Sequence, residues 1–557
     1  MTYSARRHDG ASRIRDNVDM TGFSLPDLLP TAAPEFVDAD ECKAWIEHVP
    51  LANVATAQQQ LLGQIEELNR FPTGAANRFA IMEALREPVN FVQIEQAKRF
   101  TNRALPMAEA ESAVFEDTSE LWVQMRTGYL RCLESALNGD AAMRAQAAVV
   151  CQRALAYSGL KMFHHYRAYR QVPPRDWRAL HEVYGAADQI DVAEEAVKDF
   201  LNRDVHDTSP RIAYARAVLM GMCNPNELGQ RQLTFIAYLL ERWAAKLEIV
   251  SEPVPEDEGV APLMVDLAGE RVPERSENAA AAGSARYIDT RKLAKSLRNR
   301  VGLLRKGESP AKLALGEDCV QPSCEQMLVF LFRQWCQGKA VRASERRRPV
   351  SNSAQACNEL ASIYYFVSGR VFRQPGIKTE LSQRQREEIA TFGRLSTRPE
   401  EDEALGYRLE DWQLEDESAQ GLRIMRRAGS QGKRFAHGQL VCVRPADAKN
   451  VMLGQVRWLM STENGDLQAG VRLLPGLPTA CAVRPTGLNV QKEKFVPALS
   501  LSGVQAINSP PSLVLPSGWF KPRRVIEMFL DTSARVRLTE MIERGSDFER
   551  AAFESVP

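Results

Sequence analysis

Long apolar runs are missing from this sequence: stretches such as Leu233–Leu240 and Met327–Phe332 fall far below the ~20 residues that a membrane-spanning helix requires. No secretory leader is expected either, since Arg6, Arg7, Arg13 and Arg15 are followed by no apolar segment. Neither sign of charge is in excess. Lys+Arg and Asp+Glu are equal at 71 each, which argues against condensation of the whole molecule on DNA, RNA or anionic lipid. Metal-binding patterns are also absent. The ten cysteines include no CxxC pair, Cys319 and Cys324 have neither a second pair nor a histidine to complete a zinc site, and the seven histidines show no HExxH spacing. These absences predict a cytoplasmic protein with reduced, mostly buried thiols, no metal or other cofactor, no nucleic-acid polymer as partner and no insertion into membrane.

Catalytic signatures are lacking in the same way. There is no GxxxxGKS/T phosphate loop, no GxGxxG after a strand and no GxSxG elbow. The acidic run Glu400–Glu403 has no apolar surroundings to perturb a carboxylate. The expectation is a binding protein rather than an enzyme.

What is present is globular: 44% hydrophobic and 25% charged residues over 557 positions, too long for one core. The fold class expected is α+β multidomain. Residues 1–40, with Pro26, Pro30 and Pro34, are expected as a flexible arm. Residues 41–250 carry helical patterns interrupted by Pro72, Pro88, Pro106, Asn138-Gly139, Pro173-Pro174, Pro210 and Pro225. Within them Trp177, Leu180 and Tyr184 follow the W-x2-L-x3-Y spacing of a tetratricopeptide helix, with Ala193 where its second helix wants a small residue. A TPR-like pair and an ordinary bundle both remain open, and either suits a protein partner. Residues 262–338 are expected as a small α+β module, with strands at Leu263–Leu267 and Ala285–Ile288 and helices near Leu293–Leu304 and Glu325–Cys336. Residues 339–480 switch to short strands, as a small closed β-barrel requires, with a helical insertion at Asn358–Val367 and Thr379–Phe392. A β/α extension over 481–557 is expected to end in a helix near Ser533–Arg544.

The stretch from Trp412 onward carries the most information. It contains Asp416-Glu417-Ser418-Ala419-Gln420-Gly421, then Gly438-Gln439-Leu440-Val441, Gly454-Gln455-Val456-Arg457-Trp458 and Gly470-Val471-Arg472-Leu473. In the order of its motifs this resembles the PilZ domain family, whose signature is D/N-x-S-x-x-G followed by G-x-x-V, G-x-V-x-W and G-V-x-L strands. The first half of that family's ligand signature, R-x-x-x-R, is matched by Arg342-Ala343-Ser344-Glu345-Arg346, with Arg347 and Arg348 directly after. The resemblance covers about a quarter of the chain. It implies a cyclic di-GMP receptor of bacterial signal transduction, with Arg342, Arg346 and Arg347 gripping the ligand and Asp416, Ser418 and Gly421 lining its site.

The chemistry suits that division of labour. An arginine fork pairs with phosphate oxygens or with guanine O6 and N7, and a carboxylate accepts from guanine N1 and N2 donors. On an extended segment Asp416 and Ser418 would share one face. Ordering the arginine segment around the ligand would draw the preceding region onto the barrel. Arg370 with Arg373, or Arg384 with Arg386, are alternative placements nearer in sequence. Trp412 and Trp458 are expected in the core, and Arg457 is expected to point away from Trp458. The family resemblance implies an output in motility, biofilm or exopolysaccharide control through a protein partner of the helical region. The alternative is a ligand-independent interaction scaffold with a degenerate barrel.

Overall fold

The computed structural model describes residues 23–275, 283–316, 319–320, 323–337, 346–347, 351–375, 406–486 and 493–556. The helical region comprises α1 (Ala39–Ile46), α2 (Val54–Arg70), α3 (Ala75–Ala97), α4 (Glu109–Leu137), α5 (Ala141–Ala145), α6 (Ala147–Arg167) and α7 (Pro174–Gln189). A short hairpin, β1 (Val197–Lys198) and β2 (Asp207–Thr208), precedes α8 (Pro210–Met222) and α9 (Gln230–Trp243). Local chemistry sets these ends. Asp38 accepts from Asp40 N and Glu41 N at the start of α1, and Ser209 accepts from Ile212 N while Pro210 opens α8.

Several expectations are corrected here. Pro88 does not break the chain but lies buried inside α3, where tertiary packing overrides the lost hydrogen bond. Ala193 sits in a turn after α7 rather than on a second helix, so the TPR-like hairpin is not formed at that place. Trp177, Leu180 and Tyr184 are buried in the bundle. The proline-rich arm is packed from Phe23 onward: Phe36 is fully buried with its ring 5.3 Å from Trp45.

The next segment forms a four-stranded sheet, β3 (Glu248–Val250), β6 (Ala285–Asp289), β4 (Leu263–Asp266) and β5 (Glu274–Arg275) in spatial order, with α10 (Arg291–Arg305) and α11 (Ser323–Trp335). It shares one continuous core with the helices, running from Phe36 to Cys336. The Trp335 indole N–H donates to Leu219 O at 2.8 Å across that junction. Cys319 and Cys324 are neighbours, their Cα atoms 5.0 Å apart, and the other eight cysteines are free and buried.

Two closed six-stranded barrels follow. The first has β7 (Ser353–Asn358), β8 (Glu410–Ser418), β9 (Gly421–Arg426), β10 (Leu440–Pro445), β11 (Met452–Ser461) and β12 (Leu467–Leu473), closed in the order β10-β11-β12-β9-β8-β7. Helix α12 (Leu360–Ser368) follows its first strand; the helix expected over Thr379–Phe392 lies outside the described residues. The second barrel has β13 (Pro478–Pro485), β14 (Val496–Leu501), β15 (Ser512–Pro516), β16 (Val525–Phe529), β17 (Ser533–Arg544) and β18 (Phe548–Ser555). The helix expected at Ser533–Arg544 is therefore strand β17. Val536 and Leu538 face the barrel core two residues apart, and pairing to both β16 and β18 outweighs the helical look of the segment.

The barrels pack on each other through Leu440, Cys442, Leu453, Leu499, Leu501, Val514 and Phe548. The helical region docks on the first barrel through main-chain bonds: Leu105 N to Phe435 O and Phe435 N to Leu105 O, each 2.7 Å, and Ser461 N to Tyr169 O at 2.8 Å. These contacts bring the turn at Pro225–Glu227 against β11.

Candidate functional site

Register decides what the outer face of the first barrel presents. Asp416 pairs with Arg423, Arg423 with Gly470 and Gly470 with Trp458, which makes one row across β8, β9, β12 and β11. The neighbouring row runs Ser418, Gly421, Arg472 and Gln455. Each row thus has a glycine next to a large side chain, Gly470 beside Trp458, whose indole lies over it, and Gly421 beside Arg472. A Cβ on Gly421 would stand 2.7 Å from Val471 O, and one on Gly470 would collide with the Trp458 indole. The result is a cleft of ≈ 520 Å³, of ligand-binding size.

Two bulges aim the side chains into it. Strict alternation from the buried Leu414 would carry Asp416 to the core side, but the ladder shifts between Leu414 and Asp416, so Glu415 is the extra residue. A second shift between Val456 and Trp458 leaves Arg457 as the extra residue and turns the indole outward from the buried Val456. This corrects the core assignment of Trp458, which is half-buried and lines the cleft together with Arg457. Trp412 is in the core, 2% exposed.

The arginine segment reaches the same place. Arg346 Nη1 lies 3.3 Å from Asp416 Oδ2, closing a separation of 70 residues. Arg347 continues the strand pattern: its N–H donates to Glu417 O at 2.9 Å, its carbonyl accepts from Glu417 N at 3.1 Å, and its Nε is 2.9 Å from Glu417 Oε1. Arg347 is placed beside the cleft, whose lining includes Arg346. Arg342 and Arg348 lie outside the described residues, as do Arg384 and Arg386; Arg370 and Arg373 do not line the cleft. Ser418 and Gly421 both line it, but the Ser418 hydroxyl is engaged in the hairpin, accepting from Gly421 N at 3.1 Å and lying 3.2 Å from Gly421 O. Its first task is to hold the turn.

Further lining residues escaped the sequence reading: Arg423, Arg472 and, from the helical region, Glu227. Arg423 is ion-paired with Glu415 at 2.5 Å and Arg472 with Glu543 of the second barrel. Among the described residues no carboxylate lies within ion-pair distance of Arg457. Burial holds its guanidinium below the usual arginine range, the like charge of Arg472 pulls the same way, and Glu543 and Glu227 oppose them. Glu227 is raised by its surroundings against the pull of Arg457 and Arg346. Arg423 and Arg472 could have been found by pairing the glycine motifs across strands. Nothing in the sequence near Glu227 points to the barrel.

The junction is fastened beside the cleft. His437 Nε2 lies 3.1 Å from Glu227 O and 3.0 Å from Arg457 O, its ring stacks on Tyr169 at 5.5 Å, and the Tyr169 hydroxyl donates to Leu228 O at 3.1 Å. Burial holds the His437 imidazole below its ordinary pKa, against both carbonyls, so the neutral ring with its proton on Nε2 fits the geometry.

Comparison with known proteins falls on this same architecture. Residues 40–255 match the domain family described as the N-terminal domain of the cyclic-di-GMP receptor FimW. Residues 481–556 match the FimW C-terminal beta-barrel domain, which is the second barrel. The chain matches the FimW family at both ends. Between those ends the likeness to a whole FimW protein continues: the cyclic-di-GMP receptor FimW of Pseudomonas aeruginosa is 23% identical over 527 residues, 86% of this chain and 84% of that protein. The FimW match also corrects the sequence reading of the tail, because the β/α extension expected there is a barrel of its own. Among the described residues no helix is long and apolar enough to cross a membrane, and no group of three or more His, Cys, Asp or Glu side chains is arranged to hold a metal.

Proposed function

We propose that this protein is a cyclic di-GMP receptor without catalytic activity, and that the cleft on its first, PilZ-like barrel is the binding site. The observation that carries the reading is the meeting of Arg346 and Asp416 at 3.3 Å on the outer face of that barrel. The two halves of the motif lie far apart in sequence, and they converge on a cleft lined by Arg346, Arg423, Arg457 and Arg472. Arg346 and Arg457, with Arg342 and Arg347 from the same arginine segment, supply guanidinium forks for the two phosphates or for guanine O6 and N7. Asp416 accepts from guanine N1 and N2, and Gly421 lets a base approach the backbone. The description of the Pseudomonas aeruginosa relative as a cyclic-di-GMP receptor supports the same ligand. We assign the protein to the cytoplasm, and its helical region to a protein partner that carries the signal onward.

Isothermal titration of the full chain with cyclic di-GMP tests this. Binding at about micromolar affinity or tighter is expected, with Arg346→Ala and Asp416→Ala each weakening it by about tenfold or more. Both variants should keep the parent's urea midpoint, because an ion pair this open to solvent contributes only ~0–1 kcal/mol. Absence of heat with about 50 µM ligand would remove the proposal.

A further inference from the structure

We infer that the dinucleotide site continues past the barrel, and that its second guanine is taken by a subsite between the barrel and the helical region, formed by Trp458, Asn226 and Glu227. The inference rests on the reading of the cleft as a cyclic di-GMP site and adds to it a place for the other base.

A second cavity of ≈ 340 Å³ adjoins the first, and Glu227 and Trp458 line both. Its remaining walls mix aromatic surface with amide groups: Tyr166 and Trp177 from the helices, Gln171 and Asn226 from their connections, and Met460 from β11. Flat aromatic surface with a few hydrogen-bonding groups around it is what recognition of a purine needs. The two cavities meet at a tryptophan, so one base can lie on the barrel side of the indole and the other beyond it. A cyclic dinucleotide, with two bases on one ring, has the shape for both.

The polar atoms point to guanine rather than adenine. Asn226 Nδ2 donates to the Met460 sulfur at 3.2 Å, while Asn226 Oδ1 is buried with no hydrogen-bond partner among the described residues. A buried acceptor left unpaired calls for an explanation. No side-chain hydrogen bond holds the Glu227 carboxylate among the described residues either, although Arg457 and Arg346 act on it across the cleft. Two acceptors in sequence, Asn226 Oδ1 and the Glu227 carboxylate, suit the N1–H and N2–H donors on the Watson–Crick edge of guanine. Adenine presents a ring-nitrogen acceptor where guanine has N1–H, and so would leave one of them facing a lone pair. The turn that carries both residues is already fixed to the barrel by His437 and Tyr169, which keeps the subsite formed before a ligand arrives.

The test uses full-length protein, cyclic di-GMP and the mixed cyclic dinucleotide that carries one guanine and one adenine. The mixed ligand can place its guanine on the barrel, so its loss of affinity reports the second subsite. The parent should bind it at least about 30-fold more weakly than cyclic di-GMP. In the double variant Asn226→Ala, Glu227→Ala that preference should fall to within about threefold, with cyclic di-GMP itself bound about tenfold more weakly. Glu227→Gln, which keeps size and shape, should lower the preference in the same direction and guards against a folding defect in the double variant. Equal binding of the two ligands by the parent, or a full preference kept in both variants, overturns the subsite while cyclic di-GMP binding stands. A parent that binds neither ligand overturns the subsite and the receptor reading together.

Discussion

Gly470 shows how much of the site is made by a side chain that is not there. Its row neighbours are Arg423 and Trp458, and the Trp458 indole occupies the space where a Cβ would go. Gly470→Ala should therefore push the indole off the strand, with a stability loss of about 1–3 kcal/mol typical of overpacking and weaker dinucleotide binding. Urea unfolding and calorimetry on the same sample would check both, and unaltered values in each would show that the indole can move without consequence. This residue was legible as part of a motif, and so were Asp416, Ser418 and Gly421. Trp458 was not, because size and hydrophobicity argue for a core position and only the ladder shift at Arg457 turns it outward. Glu227 was beyond reach for another reason: it comes from a different part of the chain, and no local pattern announces a contact made at that distance.

At the level of elements, the helical region, the paired strands Leu263–Asp266 and Ala285–Asp289, and the strands of the first barrel follow patterns visible in the sequence, because period and turn residues agree there. Strand β17 was misread because Ser533–Arg544 mixes charged and apolar residues without clean alternation, and its ladder to β18 is itself interrupted twice. Bulges are the devices that the sequence conceals most thoroughly, since one additional residue leaves no compositional trace. The bulge at Glu415 has a direct test. Deleting Glu415 removes the extra residue and sets Asp416 directly after the inward Leu414, so plain alternation keeps its carboxylate on the outer face opposite Arg423. Cyclic di-GMP binding should then survive both the deletion and Glu415→Ala, each within about tenfold of the parent. A deletion variant that keeps the parent's urea midpoint yet binds nothing would show that the outward turn of Asp416 needs the extra residue itself.

Across the whole molecule, the expected series of separate modules gives way to shared cores. The small sheet of β3 to β6 gives Leu263, Val265 and Ile288 to the core of the helices and keeps only a small cluster of Met264, Ala285 and Tyr287 to itself, and the two barrels are joined by an apolar cluster to which both contribute. Phe548 is the largest side chain that the second barrel places there, 1% exposed among Leu440, Cys442 and Leu453 of the first. Phe548→Ala should cost about 3–5 kcal/mol, and hydrogen exchange should accelerate in β10 as well as in β14 and β15. Protection lost in the second barrel alone would mean that the two fold independently. Such sharing could not be read from the sequence, because an apolar residue on a strand does not say which neighbour it will meet.

The short ladder between Arg347 and Glu417 bears on timing. Ordering of the arginine segment was expected to be the event that transmits a signal, yet at Arg347 the main chain is already tied to β8 by two hydrogen bonds. A nucleotide reaching that mouth meets Arg346 already beside Asp416 and Arg347 already on the ladder. Arrival is then limited by diffusion and charge, and the duration of any response by how slowly the visitor leaves.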